Sequence, residues 1–517
     1  MKRSSESHIR GLILGILLFQ GVAVSSSDAI ASDAIVIRTG LSRIDGDDLK
    51  RHLTTLASDS LEGREAGARG GKAAAAYLRS VLKAIRETSR SLPIETTQEF
   101  GRDYQNLLVF LHGSDETLKH EVVVVGAHYD HVGFGKASNS RGPIGHIHNG
   151  ADDNASGTAA VLELIEAFAS LETPPARSIL FAFWDAEEAG LLGSKHWVAN
   201  PTIPVQNLRF VLNIDMLGRL RDGRVITVGW RSAPGLRPFL ASHNIANDLL
   251  LAYQPQVIAD SDHYPFYAAG VPVIHLDTDK HDDYHRPSDD PDKINWDGLR
   301  RMTEYSYRLA FDAANRPDFP RFRREALSEP TPSWFNSKDA TSPPVRLGVH
   351  WDQEQLRKNV IVVSQVTPGS PAATAGLRAA DHIVRLGPWN SGTADDLKMV
   401  IQTVKNPVPI RVERPGVATP IEMNINFLGT PVRLGASWRD DTALPNCVVI
   451  THVVAESPAD RAGIAAGDVI LDMGGRSFAT SEEMRQRVLS ERAPFHFRVE
   501  RNGRIREVVV ELIEDAP

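Results

Sequence analysis

Apolar residues fall along this chain in stretches of different period. Four short runs, residues 121–126 (EVVVVG), 178–183 (SILFAF), 209–214 (RFVLNI) and 272–276 (PVIHL), are nearly continuous rather than alternating. Runs of that length and β-branched content predict buried strands of a largely parallel sheet. Between the first two, Val161, Leu164, Ile165 and Phe168 recur at the spacing of one helical face, which predicts an amphipathic helix with Ser156 as its N-cap. A further helix is expected over residues 299–314. Strands alternating with helices predict an α/β domain, a mostly parallel mixed sheet sandwiched by helices. Residues 316–343 then lose all apolar period and fill with Pro and Ser. They read as a semi-stiff linker in which Trp334 and Phe335 are candidates to dock on a neighbour.

Beyond the linker the pattern repeats itself. Pro344-Val345-Arg346-Leu347-Gly348 returns as Pro431-Val432-Arg433-Leu434-Gly435, Ser370-Pro371-Ala372 as Ser457-Pro458-Ala459, and Arg411-Val412-Glu413-Arg414 as Arg498-Val499-Glu500-Arg501, all 87 positions apart. Matches in one register across a whole segment predict two copies of one small domain, at 344–428 and 431–515.

The N-terminus follows another order. Lys2, Arg3 and Arg10 precede the apolar run 11–24, and small polar residues follow it. That is the layout of a secretory leader. The run falls short of the ~20 residues that span a bilayer, so residues 1–31 are expected to direct export to a periplasmic or secreted location. Ala29-Ile30-Ala31 offers cleavage after Ala31. No later segment is apolar enough to span, so the mature chain is expected to hold no transmembrane span.

Composition narrows the chemistry. With 42% hydrophobic and 24% charged residues the chain is globular, which excludes disorder. The 57 Lys and Arg against 65 Asp and Glu leave a net charge of −8, so no basic surplus points to nucleic acid. One cysteine, Cys447, excludes a disulfide framework or a thiolate metal site; a buried structural thiol is expected there. Any metal must be held by His, Asp and Glu.

Those residues stand where the expected strands end. His128-Tyr129-Asp130-His131 follows the first strand, Asp185, Glu187 and Glu188 the second, and Asp215 the third, while residues 149–157 (NGADDNASG) open the helix. Open α/β sheets gather ligands at the carboxyl ends of their strands. So many acidic clusters at one edge would repel each other unless cations neutralised them. Carboxylates with imidazole and no thiolate suit zinc or a similar divalent ion.

The segments GAHYDHVG (126–133), GADDNASG (150–157), DAEEAGLLGS (185–194), NIDMLG (213–218) and YHRPSDD (284–290), with SDSLEGREAGARGGKAAAAYL (58–78) before them, resemble the motif set of the co-catalytic dizinc aminopeptidases. These are the aminopeptidase Y type, related to glutamate carboxypeptidase and glutaminyl cyclase. The resemblance covers roughly residues 40–315 and implies the zinc exopeptidase fold, in a catalytic domain at 32–315. It also implies two zinc ions, or other divalent ions, per chain. His128 and Asp215 would bind the first, Glu188 and His285 the second, and Asp153 would bridge them across a cis peptide to Asn154. Glu187 would be the general base and Asp130 would fix the tautomer of His128. Tyr284 is the candidate donor to a developing oxyanion. His131, His146, His148, His263 and His281 are not needed as ligands. Ser261-Asp262-His263 looks like a serine-hydrolase fragment and is expected to be structural instead. Gly150 and Gly157 are expected to serve tight backbone geometry.

The repeat core, SPAATAGLRAADHI and SPADRAGIAAGDVI, resembles bacterial PDZ domains. Carboxylate-binding loops would lie at 346–349 and 433–436, and partners would be peptide or protein C-termini. The first copy carries Ala380 where the second has Gly467, so a turn needing positive φ favours peptide binding by the second. Taken together, the expectation is an exported metallo-aminopeptidase acting on peptides with a free N-terminus. A carboxypeptidase or glutaminyl cyclase on the same fold, or a non-catalytic PDZ-bearing binding protein, are the alternatives.

Overall fold

The structure, a computed structural model, describes residues 35–89, 94–336, 345–390, 393–429 and 433–512. The expected leader, its cleavage point and the last part of the linker lie outside the described residues.

The first unit runs α1 (Gly46–Leu56), α2 (Arg69–Thr88), β1 (Ile94–Phe100), β2 (Tyr104–Leu111), β3 (Val122–His128), α3 (Gly157–Ala169), β4 (Ser178–Trp184), α4 (Leu192–Ala199), β5 (Leu208–Ile214), β6 (Arg224–Val228), α5 (Leu236–His243), β7 (Leu250–Tyr253), α6 (His263–Ala268), β8 (Val273–Asp277) and α7 (Trp296–Asn315). Its strands form one eight-stranded sheet ordered β1-β2-β4-β3-β5-β8-β6-β7. The centre, β4-β3-β5-β8, is parallel. β2 joins one flank antiparallel, and β6 the other. The central strands are covered on both faces, which is why they read as continuous apolar runs. Val123 and Val125 face the helices α1, α2, α3, α5 and α7, whereas Val122 and Val124 face α4 and α6.

Helix α3 is more deeply enclosed than its apolar stripe predicted. Every residue except Glu166 is buried, because the sheet lies beneath it and α1, α2 and α7 lie around it. Ser156 does not cap it. Its Oγ donates to the Asp152 carbonyl at 2.7 Å and accepts from the Leu217 N–H at 2.9 Å, so it ties two loops of the sheet edge together.

The Pro- and Ser-rich segment is a docked strap over its described part, not a solvated spacer. Phe319 packs on Phe210 and Phe239, and Phe335 stacks on Trp230. Trp334 is only 2% exposed. Arg323 binds the Arg231 carbonyl at 2.7 Å and Glu329 at 2.9 Å. Its apolar residues pack without a regular period, which is why periodicity missed it.

The repeat region carries β9 (Val349–Trp351), β10 (Val363–Val366), β11 (His382–Leu386), α8 (Ala394–Thr403), β12 (Val408–Glu413) and β13 (Ile421–Ile425). Then come β14 (Ala436–Arg439), β15 (Val448–Val453), β16 (Val469–Met473), α9 (Ser481–Ser490), β17 (Phe495–Arg501) and β18 (Arg504–Val510). In both copies the repeated Ser-Pro-Ala starts a short helix, with Ser370 or Ser457 capping and Pro at the first turn. In both, the last Arg of the repeated RVER holds the buried Asp, Arg414 on Asp381 and Arg501 on Asp468. Ala380 does take the expected positive φ, 68°, against 88° at Gly467.

The second copy is fused to the first unit. Val448 and Ile450 of β15 fill its own core, while neighbouring Cys447 and Val449 join the large core of the first unit. Arg237 of α5 reaches Glu500 of β17 at 2.5 Å, both side chains buried. The Leu251 N–H of β7 donates to the Asn502 carbonyl at 2.9 Å. Cys447 is buried as expected, and burial pushes its thiol up to about 12. Among the described residues no helix is long and apolar enough to cross a membrane.

Candidate metal centre

Three parallel strands and two loops deliver their polar ends to one spot. His128 is the last residue of β3 and Asp215 follows β5; Glu187 and Glu188 follow β4. Asp153 comes from the loop before α3, and His285 from the segment between β8 and α7. Asp153 sits between two clusters and offers one oxygen to each. Its Oδ1 lies 3.4 Å from His128 Nε2, and its Oδ2 lies 3.1 Å from His285 Nε2. His128 Nε2 is also 3.2 Å from Asp215 Oδ1, and His285 Nε2 is 3.1 Å from Glu188 Oε2. Donor atoms bound at 2.0–2.2 Å around a tetrahedral ion stand about 3.3 Å apart. The observed spacings match that edge, so both donor sets fit a small divalent cation.

His131, which was not among the expected ligands, also enters this group. Its Nδ1 stands 2.9 Å from Glu188 Oε1 and 3.9 Å from Asp153 Oδ2. His131, Asp153 and Glu188 therefore offer donor atoms for a common ion, as do His128, Asp153 and Asp215. The visible signal was its place three residues after His128 in the same tight loop. His285 belongs to the second cluster by its 3.1 Å distances to Asp153 and Glu188, whereas His146, His148, His263 and His281 stay out of both groups. His148 bonds Ser140 at 2.7 Å, His281 faces Asp152 at 3.3 Å, and His263 stacks on His275.

Asp130 acts differently from expectation. Its carboxylate is 3.7 Å from His128 Nδ1, too far for a hydrogen bond, and the imidazole instead lies 3.2 Å from the Asp130 carbonyl. The carboxylate accepts the N–H groups of Glu187 at 3.0 Å and Glu188 at 3.4 Å. Asp130 thus ties the His128 loop to the Glu187–Glu188 turn.

Several supporting groups were not legible in the sequence. Asp289 Oδ2 accepts the N–H groups of Asp152 and Asp153 at 3.0 and 3.1 Å, holding the loop that carries the shared carboxylate. The Asp153–Asn154 peptide is cis, as the resemblance implied. Arg64, wholly buried, donates to the carbonyls of Leu56, Tyr129, Asn149 and Gly150 at 2.6–2.9 Å. It locks the two ligand loops together and places a cation behind the carboxylates. Gly150 has φ 57°, and a Cβ there would lie 2.2 Å from the Asp153 carbonyl and 2.5 Å from the His131 ring, which only glycine avoids. Ser261 donates to Asp215 Oδ2 at 2.8 Å. It orients a ligand, while His263 makes no hydrogen bond through either ring nitrogen, so the Ser-Asp-His run is no nucleophile triad.

Electrostatics report the same crowding. Burial opposes ionisation of Asp153, but the imidazoles of His131, His128 and His285 outweigh it and hold the carboxyl well below its usual range. Burial disfavours a proton on His285, yet Asp153 and Glu188 raise it to about 10. Glu187 points at no imidazole in the hydrogen-bonding sense. Desolvation and the charges of Glu188, Asp262 and Asp215 push its carboxyl well above the ordinary value, against the pull of His128. The Tyr284 ring stacks on His285 at 3.9 Å. Burial, with Asp153 and Glu188, raises its phenol, so it keeps its proton.

Comparison with known proteins agrees in location. The Peptidase family M28 model matches residues 106–310, and the PDZ domain model residues 432–512. Leupeptin-inactivating enzyme 1 of Streptomyces exfoliatus is 29% identical over 222 residues, covering 43% of this chain and 46% of that protein. Aminopeptidase YwaD of Bacillus subtilis is 28% identical over 227 residues, 40% of this chain and 44% of that protein. The chain thus spans less than half the length of these curated relatives. The LapA aminopeptidase structure from Legionella pneumophila covers 54% of this chain and 75% of its own, at 22% identity and a TM-score of 0.47. With the ligand-bearing strand ends falling inside the first matched segment, the chain carries a Peptidase family M28 domain, followed at its C-terminal end by a PDZ domain.

Proposed function

We propose that residues 32–315 form a dizinc aminopeptidase that removes N-terminal residues from peptides. The observation that carries this reading is the Asp153 carboxylate, which offers one oxygen to each of two clusters with metal-ligand spacing. His128 and Asp215 would hold one ion, Glu188 and His285 the other, with His131 a further donor to the second. A pair of divalent ions held there would supply Lewis-acid polarisation of the scissile carbonyl and a nucleophilic water at neutral pH. Glu187 takes the proton from that water and returns it to the departing amine, a role suited to a carboxyl with a raised pKa. Tyr284 keeps its proton and donates a hydrogen bond to the developing oxyanion. Asp289, Ser261 and Arg64 hold the ligands and loops in place.

The protein is exported by the leader at 1–31. Its two C-terminal copies, at 344–428 and 431–515, bind peptide or protein C-termini, the second with less backbone strain.

The test pairs a peptide bearing a free amine with its N-acetylated twin, and wild type with Glu187→Ala. Cleavage of the free amine alone, lost with chelator and with the substitution, is the expected result. Trimming of the blocked peptide from its other end would show a carboxypeptidase. Closure of an N-terminal glutamine in place of cleavage would show a cyclase.

A further inference from the structure

We propose that the mouth of the metal centre selects peptides carrying a carboxylate beyond the scissile bond, and that Arg141 and Lys280 are the groups that read it. The inference rests on the peptidase reading above and names its substrate class.

Arg141 belongs to the loop 133–149, and that loop is fastened to a ligand. The Arg141 N–H donates to the His285 carbonyl at 2.9 Å, and His285 Nδ1 lies 2.6 Å from the Asn139 carbonyl. The position of Arg141 relative to the metal ligands is therefore set by the backbone. Its guanidinium stands 4.9 Å from the Tyr284 ring centroid, and the Lys280 ammonium 4.7 Å. Tyr284 is itself stacked on His285 at 3.9 Å. Two cations thus sit one aromatic ring away from a metal ligand.

Neither cation is within ion-pair distance of a carboxylate among the described residues, although Lys280 stands near enough to Asp260 to favour its charged form; their neighbours are paired. Lys136 is paired with Glu65. Arg219 and Lys293 share Asp283, at 3.2 and 2.5 Å, and Asp279 faces Arg224 at 3.9 Å. Both Arg141 and Lys280 are exposed. Two cations outside any ion pair, both over the ring that stacks on His285, create a local attraction for anions. The contacts to Tyr284 hold both side chains over the ring without using up their charge. On the peptidase reading the N-terminal residue lies at the reacting centre, and we take the exposed Arg141 and Lys280 to face the leaving portion. The carboxylate read there is an acidic side chain just after the scissile bond or the free C-terminus of a short peptide.

The test measures kcat/KM on four peptides that share one N-terminal residue. They are an uncharged C-terminal amide, its free-carboxylate form, and amides with Glu or Lys after the scissile bond. Each is tried with wild type, Arg141→Gln, Lys280→Gln and the double variant. Wild type should favour a carboxylate-bearing peptide over the uncharged amide by roughly fivefold or more, chiefly through KM, and disfavour the Lys peptide. The preference should fall with each substitution, vanish in the double variant, and fade at high salt. An advantage confined to the free-carboxylate form identifies the chain end as the source; one confined to the Glu amide identifies the side chain. Equal rates on all four wild-type substrates would overturn the inference. So would an equal loss of kcat on every peptide in the variants, since the cations would then serve only to hold Tyr284. Failure of wild type to cleave any of the peptides would instead remove the peptidase reading beneath it.

Discussion

Glu187 and Glu188 are adjacent and acidic, yet their surroundings separate them. Glu188 faces His131 and His285, which hold its carboxyl below the usual range against burial and Asp153. Glu187 has no such partner and is held well above it. Environment, not residue type, makes one a ligand and the other a base. Glu187→Gln should therefore lower kcat by about 10²–10⁴-fold while leaving metal content at the wild-type value, checked by kinetics beside elemental analysis. Loss of metal in this variant would make Glu187 a ligand.

At this scale the sequence was informative about ligands because their types are few and their strand ends were visible. It was silent on Arg64 and Asp289, whose partners include backbone groups 86 and 137 positions away. No residue pattern encodes a carbonyl that will need a donor. It also did not show how close His131 comes to Glu188, or that Asp130 holds the Glu187–Glu188 turn, because the direction of their shared loop depends on the fold. Ala186, Met216 and His285, all beside or within the ligand set, sit at φ 54–56°. Non-glycine residues in that region are uncommon and gather at functional sites, and nothing in the local sequence announces them.

Among the elements, α1 and α3 meet at a buried acid. Glu163 is fully buried; its Oε2 accepts the Asp45 N–H at 2.9 Å, while Oε1 has no hydrogen-bond partner. Burial, then the neighbouring carboxylates, raise its carboxyl to about 8. The folded chain keeps this proton where the unfolded chain, titrating near 4.3, has lost it. The contribution of Glu163 to stability is therefore fullest below about pH 4 and declines as pH rises to about 8. Thermal melts at pH 5 and pH 8 should show Glu163→Gln gaining on wild type at pH 8, by of order 3 kcal/mol. Melts that shift in parallel would contradict this.

The turn at Ala380 gives a second element-scale expectation. A left-handed alanine costs about 1–2 kcal/mol, and Gly467 avoids that cost in the other copy. Ala380→Gly should stabilise the first copy by about 1 kcal/mol, read by chemical denaturation. A loss of stability would mean that chain entropy outweighs the strain. The flanking β1, β2, β6 and β7 were not placed, whereas the four central strands were legible to within one or two residues because buried parallel strands are uniformly apolar. The enclosure of α3 was not, since a one-sided stripe says nothing of what covers the other side.

On the scale of the whole molecule, the second repeat copy is part of the first unit's core rather than a bead on a string. Glu500, wholly buried, meets Arg237, and Arg231 bridges Asp441 and Glu329. The strap 316–336 fills the space between with Phe319, Trp334 and Phe335. Removing one member of a buried pair strands the other, at about 3–5 kcal/mol. Arg237→Met should lower the melting temperature of the full chain, and calorimetry of wild type should show the first unit and second copy unfolding together. A separate early transition for the second copy, untouched by the substitution, would contradict a shared core. The repeat itself was plain in the sequence. The docking was hidden because Cys447 and Val449 look like any strand residues until their partner surface is known.

The central claim concerns Asp153 and the two clusters it joins. The most direct measurement is anomalous diffraction at the zinc edge from crystals grown with zinc. Two peaks about 3.5–4 Å apart, one beside each oxygen of Asp153, are predicted. A single peak on one side, or none between His128 and His285, would contradict the account.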